Sequence, residues 1–372
     1  MAVAEVLGPG EWLGSELHDD DSWIIRLTET HRQEVLAAVH AAESDVTEAH
    51  RREAPAVVHA AARRREALAA TDVAGSEVAE AHGNEVLAVT DAAGSEVTAA
   101  RRREAPADRD VAGSVVSRES FRLPTLAPVL RRVRDELTHG RGFALIQGVP
   151  VEGLSERQCE TAALGLASHV GGIVPQGPDG APVMHVRDTG ADPSHARTKS
   201  YQHSGRLGYH SDPTDVVALL CVRPAKSGGL STVVSSVAVH NEVVRTRPDL
   251  AEVLYEPWWH DRRTGDGPDS FYTKPICAAR PGGGVSIAYG PDYLRSAQRG
   301  ATVPPFTRAQ EEAMALLDDL TNDARFTLTM DLRPGDLQFL NNHVTLHSRT
   351  AYEDHPEPSR RRHLLRLWLT TG

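Results

Sequence analysis

GYHSDPTDVVALLCV, running from Gly208 to Val222, carries a chemical signal and a structural one side by side. His210 and Asp212 stand two apart, so on a strand both side chains point to one face while Tyr209 and Ser211 point away. Val216 to Val222 is an unbroken apolar run of strand length, the mark of a core strand. Two histidines and one carboxylate can hold one face of an octahedral iron(II) and leave three positions open for a co-substrate and dioxygen. A lone His-X-Asp arises often by chance, so the reading depends on a second histidine and its surroundings.

His347 is that histidine. It lies 135 residues beyond Asp212, in PGDLQFLNNHVTLHSR (334–349). Pro334-Gly335 and Asn341-Asn342 punctuate this segment as strand–turn–strand, which places His347 just after a strand, at its turn. His343 and His347 also have the i, i+4 spacing of two zinc ligands, but no glutamate completes that motif. His343 is therefore expected to be a hydrogen-bonded supporting or structural histidine. A zinc hydrolase built on the pair needs a general base that the sequence does not offer.

SRRRHLLRLW (359–368) follows. As a strand it sets Arg362, Leu364, Arg366 and Trp368 on one face, and Leu365, Leu367 and Leu369 on the other. Two arginines on one side of an apolar strand are costly without anions to pair with. A guanidinium grips a carboxylate with two parallel hydrogen bonds, so an acidic ligand is one resolution. A basic cluster in surface salt bridges is the other.

Outward from these motifs the texture is globular from Phe121 to the C-terminus. PTLAPVLRRVRDELTHG reads as an amphipathic helix closed by Gly140. SERQCETAALGLASHVGG reads as a helix with Ser155 as N-cap, and AVHNEVVRTRPDLAEVL as helical. GFALIQGVP, GVSIAYG, RFTLTMDL, DLQFLNN and HLLRLWLTT have strand length and pattern. Many short strands with a few helices predict a mainly β domain with flanking helices, a sandwich or barrel under helical cover. Trp258-Trp259 and Tyr272 fit either an aromatic pocket wall or core packing.

Residues 1–42 look globular too, with Thr28-Glu29-Thr30 as a helix start before HRQEVLAAVHAA. Residues 43–118 differ: they are rich in Ala, Glu, Arg and Val, and have no aromatic residue. Asp72–Val78 (DVAGSEV) returns as Asp91–Val97 and again as Asp110–Val116, 19 residues apart each time, and REAPA occurs at 52–56 and 103–107. This period matches no common solenoid repeat. A duplicated insert of broken helices or disordered chain is expected there, with a partner-binding coiled coil as the sharper alternative. The organisation expected is 1–42 and 119–372 as one domain around that insert.

The net charge of −11 argues against nucleic acid as the main partner. No run of eighteen apolar residues exists, so no membrane span is expected. MAVAEVLGPGEWLGSELHDDD has neither a basic nor an apolar leader region, and the three cysteines are scattered, which together predict a reducing, cytoplasmic setting. The partners expected are a small-molecule substrate and, at most, further copies of this chain.

Taken together, His210-Ser-Asp212 with VVALLCV, Pro224-Ala-Lys-Ser-Gly-Gly-Leu-Ser231, NNHVTLHSRTAYED and RRRHLLRLW resemble the taurine dioxygenase-like Fe(II)/2-oxoglutarate oxygenases. The resemblance covers 121–372 well and 1–42 more loosely, and it excludes 43–118. It implies a double-stranded β-helix (jelly-roll) core, with His210, Asp212 and His347 as iron ligands. It implies that Arg362, fifteen residues past His347, binds the distal carboxylate of 2-oxoglutarate with help from Ser231, and that Arg366 faces the substrate. It implies consumption of dioxygen, release of succinate and carbon dioxide, and, because position 212 is Asp, oxygenation rather than halogenation. The polar segment 185–208 reads as a loop at the barrel mouth, with His203 and Arg206 as candidates to face an anionic or zwitterionic, amino-acid-like substrate. The same chemistry can end in desaturation or ring closure. A rival of another class is a non-catalytic metal-binding barrel with the repeats as an interaction arm.

Overall fold

The computed structural model describes residues 3–44, 116–177, 179–191, 202–263, 267–280 and 283–371. The 19-residue repeats therefore lie outside the described residues, as does 192–201 of the polar segment before the metal motif. Residues up to 42 and from 116 onward pack as one compact unit. Val116, grouped by texture with the repeats, is buried in its core.

The strands, in chain order, begin with Ile24–Arg26 (β1), Phe143–Gln147 (β2), Gly172–Val174 (β3), Met184–Val186 (β4), Leu207–His210 (β5) and Val216–Arg223 (β6). Ser227–Gly228 (β7), Ser231–Ser235 (β8), Trp258–Asp261 (β9), Phe271–Lys274 (β10), Cys277–Ala279 (β11) and Val285–Ile287 (β12) follow. Leu328–Met330 (β13), Leu337–Asn341 (β14), Thr345–Arg349 (β15), Tyr352–Glu353 (β16) and His363–Thr370 (β17) complete them. Seven form one sheet in the order β1-β2-β14-β6-β17-β3, with β4 also on β17, and four form a second in the order β13-β8-β15-β5. Only β1–β2 is parallel among these pairs.

Alternation sorts the side chains into three layers. Phe143, Leu145, Val217, Cys221, Leu340 and Leu364 of the large sheet meet Val233, Leu328 and Met330 of the small one in the space between the sheets. On the large sheet's outer face, Ile146, Ala218, Leu220, Leu365, Leu367 and Leu369 pack against helices Ala127–His139 and Glu156–Ser168. On the small sheet's outer face, Tyr209, Val234 and Leu346 pack against helices Ser236–Thr246, Pro248–Val253 and Arg308–Asn322. Burying each of the three outer leucines of β17 contributes about 1.5–3 kcal/mol, which fixes the opposite face of β17 toward the interior.

Local signals place the helices. Ser155 and Thr307 both cap with reciprocal boxes, to Gln158 and Gln310. Thr28 Oγ1 accepts from His31 N–H (3.3 Å), and helix runs from 29 to 44. The stretch read as one helix from Ala238 to Leu254 is broken at Arg247, because Pro248 has no N–H to continue it. Trp258 resolves to the core: it is fully buried and its Nε1 donates to Val253 O (3.0 Å). Tyr272 stacks on His260 beneath Arg262. No helix among the described residues is long and apolar enough to cross a membrane.

Candidate active site

The register of β5 on β15 builds the site. His210 and His347 are direct antiparallel partners, and their rings lie 4.2 Å apart between centroids. The ladder stops at His210. Asp212 lies just beyond the strand, because its N–H donates to the side chain of Asn342 (Oδ1, 2.9 Å) instead of a neighbouring strand. Ser211 N–H turns away to Tyr289 O (2.8 Å). His347 stands in the middle of β15 rather than at the turn expected of it; residues 342–344 make that turn. Ligand-capable atoms of His210, Asp212 and His347 all lie within 4.8 Å of one another.

Their surroundings prepare a donor set. His210 Nδ1 is 2.9 Å from Gly208 O, so it carries the proton and leaves Nε2 with its lone pair toward Asp212 Oδ1 (4.0 Å). His347 Nδ1 is buried with no hydrogen-bond partner among the described residues. Burial, then His210, pushes the His347 pKa down to about 3, with Arg366 adding and Asp212 opposing. Burial raises the Asp212 carboxyl, but Arg366, both histidines and Trp368 outweigh it and hold it below the ordinary value. Trp368 Nε1 donates to Asp212 Oδ2 (2.9 Å), and Arg366 Nη1 lies 3.5 Å from Oδ1. Gln176 locks Arg366 by accepting from its Nε (3.0 Å) and donating to its carbonyl (3.0 Å). Two imidazoles and a carboxylate, one of the rings with a buried nitrogen that has no partner among the described residues, fit a hard-to-borderline divalent metal such as iron(II).

Two chambers adjoin at this point, sharing Leu207, His210 and Arg366. The inner one, about 550 Å³, lies between the sheets and is lined by Ser231, His347, Arg349 and Arg362. Arg362 is 6% exposed, and its Nη1 has no hydrogen-bond partner among the described residues. Gly228 and Gly229 turn with φ of +72° and +70° just before Ser231; a Cβ on Gly228 would meet Ala351 O at 2.3 Å, and one on Gly229 would crowd Arg362 Nε at 3.3 Å. The outer chamber, about 700 Å³, is lined by Asp212, Pro213, Asp292, Tyr293 and Trp368.

Arg206 and His203 line neither chamber. Arg206 is exposed and donates to Asn322 Oδ1, and His203 Nδ1 accepts from Gly205 N–H (3.1 Å). Both ring nitrogens of His343 are held, by Asp215 Oδ1 (2.9 Å) and Ser286 Oγ (2.7 Å).

Residues 107–368 match the family described as taurine catabolism dioxygenase TauD, TfdA family. This chain belongs to that family. FR-33289 synthase of Streptomyces rubellomurinus (strain ATCC 31215) is 31% identical over 262 residues, 68% of this chain and 76% of that protein. The taurine hydroxylase-like protein SAT17 of Stachybotrys chartarum is 29% identical over 267 residues, 68% of this chain and 67% of that protein. Asparagine oxygenase, solved with Fe(II), 2S,3S-3-hydroxyasparagine and succinate, superposes with a TM-score of 0.53 at 20% identity, covering 68% of this chain and 81% of that one. The non-heme iron oxygenase OrfP, solved with Fe and alpha-ketoglutaric acid, gives 0.52 at 16% identity, covering 68% and 82%. The fold is the mixed α/β, double-stranded β-helix type of the TauD group. The protein is an Fe(II)/2-oxoglutarate-dependent dioxygenase.

A second histidine group is already satisfied. Glu156, His185 and His363 come together, but Arg187 Nη2 donates to His185 Nδ1 (2.8 Å) and to Glu156 (3.1 Å), and Arg223 reaches Glu156 and His363. Burial, then Arg187, pushes the His363 pKa down to about 4. His347 and His363 therefore fold neutral, whereas in the unfolded chain each takes a proton as pH falls through about 6.5. Their contribution to stability is complete above that value and is lost as pH falls toward 4 and 3. At pH 5.5 the metal-free protein is expected to be roughly 2 kcal/mol less stable than at pH 7.5. Thermal melts at the two pH values test this, and His363→Gln should remove about half of the difference. Equal melting temperatures would show that these histidines are not held neutral.

Proposed function

We propose that His210, Asp212 and His347 hold the iron(II), that Arg362 and Ser231 take the distal carboxylate of 2-oxoglutarate in the inner chamber, and that the enzyme hydroxylates an unactivated C–H bond of a small anionic or zwitterionic, amino-acid-like molecule in the outer chamber. The observation that carries this reading is the pair of chambers meeting at the triad, the inner one walled by a buried guanidinium with an unused donor. When bound, iron with 2-oxoglutarate and dioxygen supplies the oxidising power: one oxygen atom goes to the substrate carbon as hydroxyl, the other to succinate, and carbon dioxide leaves.

The chain's own groups do the rest. Asp212 is kept ionised by Arg366 and oriented by Trp368 and Asn342. His210 is fixed in one tautomer by Gly208 O. The leucines of the inner chamber (Leu207, Leu219, Leu332, Leu364) exclude water around the co-substrate. In the outer chamber Arg366 offers positive charge and Asp292 negative charge, which supports a zwitterion. Asparagine oxygenase was captured with a hydroxylated amino acid and succinate, and this reading assigns the same class of reaction here. Residues 43–118 are read as an insert into this one domain.

Anaerobic addition of iron(II) and then 2-oxoglutarate to the metal-free protein should produce the visible charge-transfer band of a chelated keto acid. His210→Ala should lose it. Iron bound without a band would remove 2-oxoglutarate from this site. Once a substrate is in hand, product mass separates hydroxylation from desaturation.

A further inference from the structure

Arg349 lies two residues beyond His347 on β15, so both side chains enter the space between the sheets. It is 5% exposed. Its Nη2 donates to His203 O (3.0 Å) and to Gly205 O, and its Nε to Thr350 O (3.3 Å). The guanidinium lines the inner chamber, while its Nη1 makes no hydrogen bond to a described residue. Arg349 and Arg362 flank Tyr352, 4.7 and 5.1 Å from its ring centroid, and no carboxylate among the described residues forms an ion pair with either.

We propose that Arg349 is a positioning residue that ties co-substrate loading to the 202–206 segment, one edge of its guanidinium holding the His203 and Gly205 carbonyls and the other donating to the dicarboxylate in the inner chamber. The proposal rests on the placement of 2-oxoglutarate there. Two buried cations with no carboxylate at ion-pair distance among the described residues are costly, and a dianion between them removes that cost. An anion on the Nη1 edge fixes the guanidinium plane, and with it the two bonds to the carbonyls. The segment so held is also gripped by Tyr352 N–H on Ser204 O (3.0 Å), and it runs directly into β5, whose last residue is His210. Loading of the co-substrate would therefore firm the backbone that delivers one of the metal-site histidines.

Lysine at 349 keeps the charge but has no second edge with which to bridge. The test uses the full chain with Mn(II) in place of iron, with and without 2-oxoglutarate. Hydrogen exchange is followed by mass spectrometry over 202–209, and co-substrate affinity by calorimetry. In the wild type, 2-oxoglutarate should slow exchange over this segment about tenfold. Arg349→Lys should still bind 2-oxoglutarate within about tenfold of wild type yet lose the slowing. Arg362→Lys at saturating 2-oxoglutarate should bind more weakly and keep it. Binding in the wild type without slowing, or equal slowing in Arg349→Lys, overturns the proposal. No binding at all in the wild type overturns instead the inner-chamber placement on which it stands. Should Arg349→Lys fail to fold, the wild-type comparison decides: slowing confined to 202–209 supports the tie, and its absence rejects it.

Discussion

Asp212→Ala is expected to lower turnover by at least about 1,000-fold and to leave a folded protein that retains iron poorly. Asp212 is the one anionic donor of the triad, so its loss leaves a divalent cation facing two neutral imidazoles. It also removes the carboxylate that faces Arg366, whose Nη1 stands 3.5 Å from Asp212 Oδ1. In the variant that guanidinium stands beside the metal position without the Asp212 carboxylate opposite it. Trp368 Nε1 loses its acceptor at the same time. A deserted Trp368 donor and the lost Asp212–Arg366 pairing should cost the metal-free protein about 1–3 kcal/mol. Asp212→Asn separates the two effects: it keeps an acceptor for Trp368, so it should melt closer to wild type while remaining nearly inactive. Iron content after desalting, the charge-transfer band and thermal melts report these quantities. Turnover within tenfold of wild type in Asp212→Ala would show that the metal is held by another set of groups, and the non-catalytic barrel would become the better reading of 210–212.

The parts of this site that were legible beforehand are those that depend on short-range alternation. Arg362, Leu364, Arg366 and Trp368 share a face because successive side chains on a strand must alternate, and the leucines between them supply the reason β17 cannot flip. The Ser155 cap was legible for the same local reason. What alternation could not say is where a ladder ends. Asp212 leaves its strand because Asn342, 130 residues away, accepts its N–H, and His347 sits mid-strand because β15 begins closer to the turn than the Asn-Asn signal suggests. Gln176, which locks Arg366 from 190 residues away, has no local signature at all. Trp368 did have one: an indole N–H on a buried strand needs an acceptor, and the nearest carboxylate on its face belongs to the metal motif. Arg349 was readable in the same way, as a charge two positions after a buried histidine, yet its partners are backbone carbonyls that no sequence pattern announces. Arg206 and His203 are near the motif in the chain, but the turn of 202–206 carries both outside the two chambers.

Arg362→Met should separate function from stability in opposite directions. The Michaelis constant for 2-oxoglutarate is expected to rise about 100–1,000-fold, the scale of losing a desolvated, charge-assisted pairing with a carboxylate. The metal-free variant should nevertheless melt at a higher temperature than wild type. Arg362 is almost fully buried, its Nη1 has no hydrogen-bond partner among the described residues, and burial holds its pKa below the ordinary arginine value. In the absence of co-substrate the folded protein therefore carries the cost of a desolvated cation, and an apolar side chain of similar length relieves it. Adding 2-oxoglutarate at 100 times its dissociation constant should stabilise the metal-loaded wild type by about 2.7 kcal/mol and the variant hardly at all, so the two melting curves should cross as co-substrate is titrated. Ser231→Ala gives the scale for a neutral contact: its hydroxyl already donates to Gln338 Oε1 (3.0 Å), and its loss should cost about tenfold or less. If Arg362→Met melts below wild type without co-substrate, the arginine supports the fold through Tyr352 rather than waiting for a ligand. If the Michaelis constant is unchanged, the distal carboxylate is gripped elsewhere in the inner chamber, and Arg349 is the cation positioned to do it.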